Sequence, residues 1–472
     1  MPTECTPGSL VFQAARGREV VARFDGGTLT SDGGALLLRE VERVTRTVAQ
    51  FATCFTDHRD PRRVEHPLAT LVAQRVFALA LGYEDLNDHD ALRADPLLAV
   101  VAGSADPTGH QRRRARDAGK ALAGKSTLNR LELTAATASP TARYKKITVD
   151  QDAVDRLFVD LFVQAHAAPP TEIILDLDAT DDPVHGQQEG RFFQGFYGHY
   201  CYLPLYIFAG EHLLCARLRS GGVDASAGAT LELARIVTQL RATWPAVRIT
   251  VRADAGFCRD ELLAWCEAHA VDYVIGLQRN SRLVAAIDDA LREATAACTQ
   301  SGTPDRQFRD LVYRTRRGWS RARRVVAKAE ALPGPDGVKA NPRFVVTSLP
   351  PELLDAQPLY EQLYCARGDM ENRIKEQQLM LFADRTSAAT LRANQLRLTF
   401  SAIAYTLLAA LRRLGLAGTR LATAQCHTIR LTLLKLGARL RVTVRKVWVS
   451  FATGCPHAAL FAAVHAQLRQ RG

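Results

Sequence analysis

The sequence predicts an α/β protein: a mixed sheet with a β-rich insertion, flanked by mostly helical N- and C-terminal regions. Three observations predict it. Residues Glu172–Pro183, EIILDLDATDDP, alternate with the period of two that marks a strand. From there to Leu277 the pattern runs β-β-β-α-β-α-β, the rhythm of an α/β layer. Residues 305–350 then break that rhythm with arginine-rich, strand-like stretches around the turn PGPDGV.

Taken in order, residues 9–24 read as a short strand pair, and Ser31-Asp-Gly-Gly precedes a helix carrying Leu36, Leu37, Leu38 and Val41. His58, Arg59 and Asp60 read as a polar turn. A helix from Pro67 has one apolar face, and another follows near Ala91–Val101. The cluster Arg112–Arg130 reads equally as a phosphate-contact patch or a solvated surface. A helix over Ala153–His166 ends before Pro169-Pro170, which cannot continue it.

These features divide the chain into 1–150, a mostly helical and DNA-binding region; 151–304, the first part of the core; 305–350, the insertion; 351–390, a core helix; and 391–472, a basic helical region. Within the last, Leu396–Leu411, Thr428–Leu436, Leu440–Val449 and Ala458–Leu468 are the expected helices.

Composition narrows the function classes. MPTECTPGSL lacks a basic segment followed by an apolar one, so no signal peptide is expected, and the apolar run between Arg397 and Arg412 is too short to cross a bilayer. Ten cysteines form no C-x-x-C pair and read as reduced thiols of a cytoplasmic protein. Cys426-His427 and Cys455-Pro456-His457 match no standard zinc spacing.

The net charge of +12 is unevenly placed. Residues 1–384 hold 47 basic and 49 acidic groups, and the remaining 88 residues hold 14 basic groups and no acid. An asymmetry of this kind is the footprint of a polyanion partner.

Three carboxylates stand out: Asp178 (or Asp176) in the first strand, Asp254 at the end of RITVRAD, and Glu371. Glu371 lies on a stripe of Tyr364, Arg367, Glu371, Lys375 and Gln378, spaced 3, 4, 4 and 3, which shares one helical face. Mg²⁺ takes oxygen ligands, and two such ions about 3.5–4 Å apart serve in-line phosphoryl displacement. In the insertion, Trp319 sits among Arg314, Arg316, Arg317, Arg321, Arg323 and Arg324. That composition suits either a base-stacking, phosphate-holding surface or a Trp in the core of a small sheet.

On these residues the chain resembles the DDE transposases of bacterial insertion sequences, in the group with a Tyr-Arg-Glu-Lys signature. The resemblance runs through LTSDGGALLLRE, LGYEDLNDHDALR, LDLDATDDPVHGQQEGRFFQGFYGHYCYLPLY, VRADAGFC and YCARGDMENRIKEQQ. It implies a ribonuclease H-like core with Asp178, Asp254 and Glu371 as catalytic ligands of two Mg²⁺ (or Mn²⁺) ions. It implies phosphate contacts by Tyr364, Arg367 and Lys375. The signature's last Lys is Gln378 here. Trp319 would stack a displaced base, with Arg316 and Arg317 on DNA beside it. The implied reaction is cleavage of double-stranded DNA at terminal inverted repeats and transfer of the freed 3′-hydroxyl to target DNA, by a homodimer on paired ends without a membrane role.

Two rivals remain at this stage. Asp176-x-Asp178-x-Thr180 also matches the first motif of haloacid dehalogenase-like phosphatases, with Asp176 as nucleophile. A catalytically inactive, DNA-binding derivative of a transposase is the second.

Overall fold

The computed structural model describes residues 8–335 and 337–471. The chain forms two compact units. One comprises Thr53–Thr56 and Glu132–Ala409; the other comprises the described parts of Met1–Ala52, Asp57–Leu131 and Ala410–Gly472.

The first unit is built on a nine-stranded mixed sheet. Its strands are β1 (Glu172–Ala179), β2 (Leu205–Ala209), β3 (His212–Arg217), β4 (Arg248–Ala253), β5 (Asp272–Leu277), β6 (Asp305–Tyr313), β7 (Arg323–Gly334) and β8 (Arg343–Thr347). They lie in the order β3-β2-β1-β4-β5-β8-β7-β6, with Gly337–Ala340 paired to β7. β1, β4 and β5 are parallel to one another; β2 and β3 turn back antiparallel. The period of two in β1 sends Ile173, Leu175 and Leu177 into the hydrophobic core, with Leu233, Ile236 and Leu240 of the helix Ala229–Thr243. Asp176 and Asp178 face the other side of the sheet.

The insertion does not form a separate small sheet. β8 pairs antiparallel with β5, and β7 and β6 follow, so these strands widen the central sheet. The helix Asp288–Ser301 packs on β6 and β7 through Ala290, Leu291 and Ala294.

In the other unit, the helix Ala35–Thr45 buries Leu37, Leu38 and Val41 and packs against Ala458–Gln470. The hairpin Leu10–Ala15 with Arg18–Ala22 is present as expected and is exposed throughout. One expectation is corrected: Leu440–Val449 is not a helix. Strands β9 (Ala438–Val442) and β10 (Val447–Phe451) form a hairpin there, and β9 pairs with Leu29–Thr30. Residues Arg439 to Val442 alternate charged and apolar side chains, so the period of two was present. Among the described residues no helix is long and apolar enough to cross a membrane.

Candidate active site

Parallel register brings two of the expected acids together. Asp176 faces Arg252 and Leu177 faces Ala253 across β1 and β4, so the next step places Asp178 beside Asp254 at the two strand ends. Asp254 leaves the strand as a cap, its Oδ1 accepting from the Gly256 amide at 2.9 Å. Burial pushes the Asp178 carboxyl up to about 6; Arg367 opposes this, and Asp254 and Glu371 add to it. Asp178 is therefore within electrostatic reach of both other acids.

The third acid sits on an irregular helix. Leu359–Tyr364 winds as a π-helix, Cys365–Arg367 as a 3₁₀ turn, Gly368–Lys375 as an α-helix and Glu376–Met380 again as a π-helix. Helices with π-turns recur at functional sites. Met370 and Ile374 are buried under the α-helical part, which packs on β1. Arg367 Nη1 lies 3.3 Å from Asp178 Oδ2, and its Nη2 lies 3.8 Å from Glu371 Oε1. Glu371 remains half exposed, whereas Arg367 is largely enclosed. Lys375 is exposed. Gln378, in the position where the signature has Lys, donates to the Asp181 carbonyl at 3.0 Å.

Asp176 has a different environment. It is buried and held bidentately by Arg252, with Nη2 to Oδ2 at 2.7 Å; Arg252 Nη1 also donates to the Leu363 carbonyl. A carboxylate enclosed by a guanidinium in this way cannot approach a phosphate ester as a nucleophile, so the phosphatase reading is not favoured.

Trp319 requires a correction. Its side chain is in the hydrophobic core, 6% exposed, with Val325, Ala327 and Phe344. Tyr313 meets it edge-on at 5.9 Å, and the Arg323 guanidinium lies 5.3 Å from the ring. It therefore has no free face for a displaced base. Arg316 and Arg317 are exposed on the same loop.

Other residues of the site carried no signal in the sequence pattern. A Cβ on Gly276 would lie 2.6 Å from Tyr364 Oη and 2.9 Å from the Ala255 amide, so the bare backbone there admits Tyr364 beside the Asp254 strand end. Tyr364 joins Arg279, Lys339, Arg343 and Tyr360 around a cleft of about 440 Å³. His199 Nε2 lies 2.8 Å from Asp181 Oδ2. The nearby Tyr197 hydroxyl is pushed up to about 12 by burial and by Asp181, Asp178 and Asp254.

The donor set is all oxygen and suits a hard divalent cation, whose charge would relieve the burial and repulsion acting on Asp178. The three carboxylates are not closed into a ready cage: among the described residues no three His, Cys, Asp or Glu side chains are gathered to hold a metal.

No curated protein matches the chain. The model of the family described as transposase DDE domain group 1 matches residues 12–472. Nearly the whole chain is covered, including both strand-end acids and the irregular helix, and the chain belongs to this transposase family.

Proposed function

We propose that the chain cuts DNA at the ends of an insertion sequence, with Mg²⁺ (or Mn²⁺) held by Asp178, Asp254 and Glu371, and joins the freed 3′-hydroxyl to target DNA. The observation that carries this reading is geometric, in a chain of the transposase family: strand register sets Asp178 beside Asp254, and Arg367 reaches both Asp178 and Glu371. Asp178, Asp254 and Glu371 would hold the ions, whose Lewis acidity would serve in-line phosphoryl displacement. The remaining tasks fall to the chain's own groups. Arg367 presents a guanidinium beside Asp178, suited to the non-bridging oxygens of the scissile phosphate. Tyr364 borders the cleft where a DNA end fits, and Lys375 contacts phosphate at its exposed side. The Asp176–Arg252 pair keeps the two strand ends in register. We assign the mixed-sheet core to the ribonuclease H-like type and expect a homodimer on paired ends, both by resemblance.

The test is nicking of a duplex bearing the element's inverted repeats, with and without Mg²⁺. Asp178→Asn, Asp254→Asn and Glu371→Gln should each slow it on the order of a thousandfold, about 4 kcal/mol in the barrier. Wild-type rates in all three would end the proposal. Asp176→Asn should instead destabilise the fold by about 3 kcal/mol, because Arg252 loses its partner, while each folded molecule still cuts.

A further inference from the structure

The hairpin β9–β10 has two chemically distinct faces. Its register pairs Ala438 with Phe451, Leu440 with Val449 and Val442 with Val447 on one side. Ala438 and Leu440 are buried, and Phe451 meets the Phe461 ring at 5.1 Å. The other side pairs Arg439 with Ser450 and Arg441 with Trp448. All four of these residues are exposed, and Trp448 is 47% exposed. Arg441 and Lys446 flank the Trp448 ring at 5.5 and 5.4 Å from its centroid. Val444 is fully exposed at the tip.

The hairpin is held rigidly at both ends. At the tip, the Thr443 amide and hydroxyl both donate to the Lys446 carbonyl, and the Lys446 amide donates to the Thr443 hydroxyl. At the base, the amides of Gly33 and Gly34 donate to the carbonyls of Leu436 and Leu434. A Cβ on Gly34 would collide with the Leu433 carbonyl at 1.8 Å, which explains the glycine pair of Ser31-Asp-Gly-Gly. Lys435 is anchored here as well, 2.7 Å from Asp32 Oδ1 and over the Tyr83 ring, with Tyr83 donating to Asp32.

Beyond that anchor the charges are uncompensated. Among the described residues no carboxylate pairs with Arg439, Arg441, Arg445 or Lys446, and no acid occurs in the chain after Asp384. A rigid, exposed, two-stranded face of cations around a Trp fits one kind of partner. Two strands about 5 Å apart enter a major groove about 12 Å wide, with cations reaching the phosphates on either side.

We infer that the outward face of β9–β10 is a DNA-binding ribbon that docks in a groove of duplex DNA, Arg439, Arg441, Arg445 and Lys446 holding phosphates and Trp448 with Val444 entering the groove. The inference rests on the reading of the chain as a DNA-cutting enzyme and names the element that grips the duplex.

The test uses the full-length protein without metal, so that binding is read apart from cleavage. The probe is a duplex several turns long, with a single strand of the same sequence and an RNA duplex beside it. The variant Arg439→Gln/Arg441→Gln/Arg445→Gln/Lys446→Gln should lower the slope of log affinity against log salt by about 2–4. Trp448→Ala should weaken duplex binding about tenfold with the slope unchanged. Both variants should keep the wild-type melting temperature, since none of these side chains packs in the core. A wild-type slope and affinity in the four-site variant, or no duplex binding by wild type at low salt, overturns the inference; cleavage lost through Asp178→Asn would stand regardless. An equal loss on single strand, duplex and RNA overturns groove docking and leaves a general polyanion surface. Retained DNA binding with loss of a protein contact makes the ribbon a protein-docking edge and also overturns it.

Discussion

Residues 314–328 hold seven Lys and Arg around Trp319, and residues 435–448 hold five around Trp448. In the first stretch Arg323 reaches both Asp260 and Glu267 at 2.7 Å, Arg321 reaches Glu267, Arg324 reaches Asp310 and Lys328 reaches Glu330. Its Trp is in the core. In the second stretch Lys435 alone has a carboxylate partner among the described residues, and the Trp is exposed. The difference lies in the neighbours. Strands β6 and β7 and the helix Asp260–Ala268 bring acids to the first set, whereas the acid-free tail has none to bring. Arginine and tryptophan in one stretch thus suit a nucleic-acid surface only when the surrounding sequence leaves the cations uncompensated.

Truncating one arginine from each stretch should separate the two cases most widely. Arg323 is nearly inaccessible; without it Asp260 would lose its cation and the largely enclosed Glu267 would keep only the exposed Arg321. Arg323→Ala should cost about 3–5 kcal/mol in urea unfolding. Arg441→Ala should stay within about 0.5 kcal/mol of wild type, because its side chain meets solvent and one face of Trp448. Equal costs at the two positions would show that the ribbon arginines are structural too.

This contrast also marks how much was legible in the sequence. The strand Glu172–Ala179 and the helices Ala229–Thr243, Asp260–Ala268 and Leu391–Gly415 follow their periods, because burial of one face decides each of them locally. Both candidate strand-end acids could be read for the same reason. What could not be read depends on partners far along the chain. β5 pairs with β8 some seventy residues later, so nothing local shows that the insertion widens the central sheet. The fate of Trp319 was set by that pairing. The role of Gly276 depends on Tyr364 crossing to it, and π-turns interrupt the helical spacing on which the Tyr364–Gln378 stripe was read. The β9–β10 hairpin was misread although its alternation was visible, because its turn, Thr443 to Lys446, has no Gly, Asn or Asp to announce it.

Asp182 is the converse case, a buried acid with no cation beside it among the described residues. Asp182 is 1% exposed, neither of its carboxylate oxygens has a hydrogen-bond partner among the described residues, and burial pushes its carboxyl up to about 8, with Asp384 and Asp181 adding to it. The folded protein keeps this proton where the unfolded chain has lost it. The associated stability is therefore complete below about pH 4 and declines as pH rises towards 8. Asp182→Asn cannot ionise. Its stability relative to wild type should improve by about 1–3 kcal/mol between pH 5 and pH 8, read from melting curves at each pH. A constant difference across that range would mean that Asp182 is ionised in the fold.

Compensated and uncompensated arginines also lie side by side within a single stretch. Arg316 and Arg317 belong to the insertion, yet both are exposed on the loop before β7 and neither meets a carboxylate among the described residues. If an uncompensated charge is what makes a DNA contact, these two should behave like the ribbon and unlike Arg321, Arg323 and Arg324. The double variant Arg316→Gln/Arg317→Gln should reduce the salt slope of duplex binding by at most about 2, with unfolding unchanged. Arg321→Gln, which removes a partner of Glu267, should leave that slope where it is. An unchanged slope for the double variant would confine duplex contact to surfaces outside this loop. A reduced slope for Arg321→Gln would show that an ion pair on this surface opens for DNA, so that pairing alone does not exclude a residue from the interface.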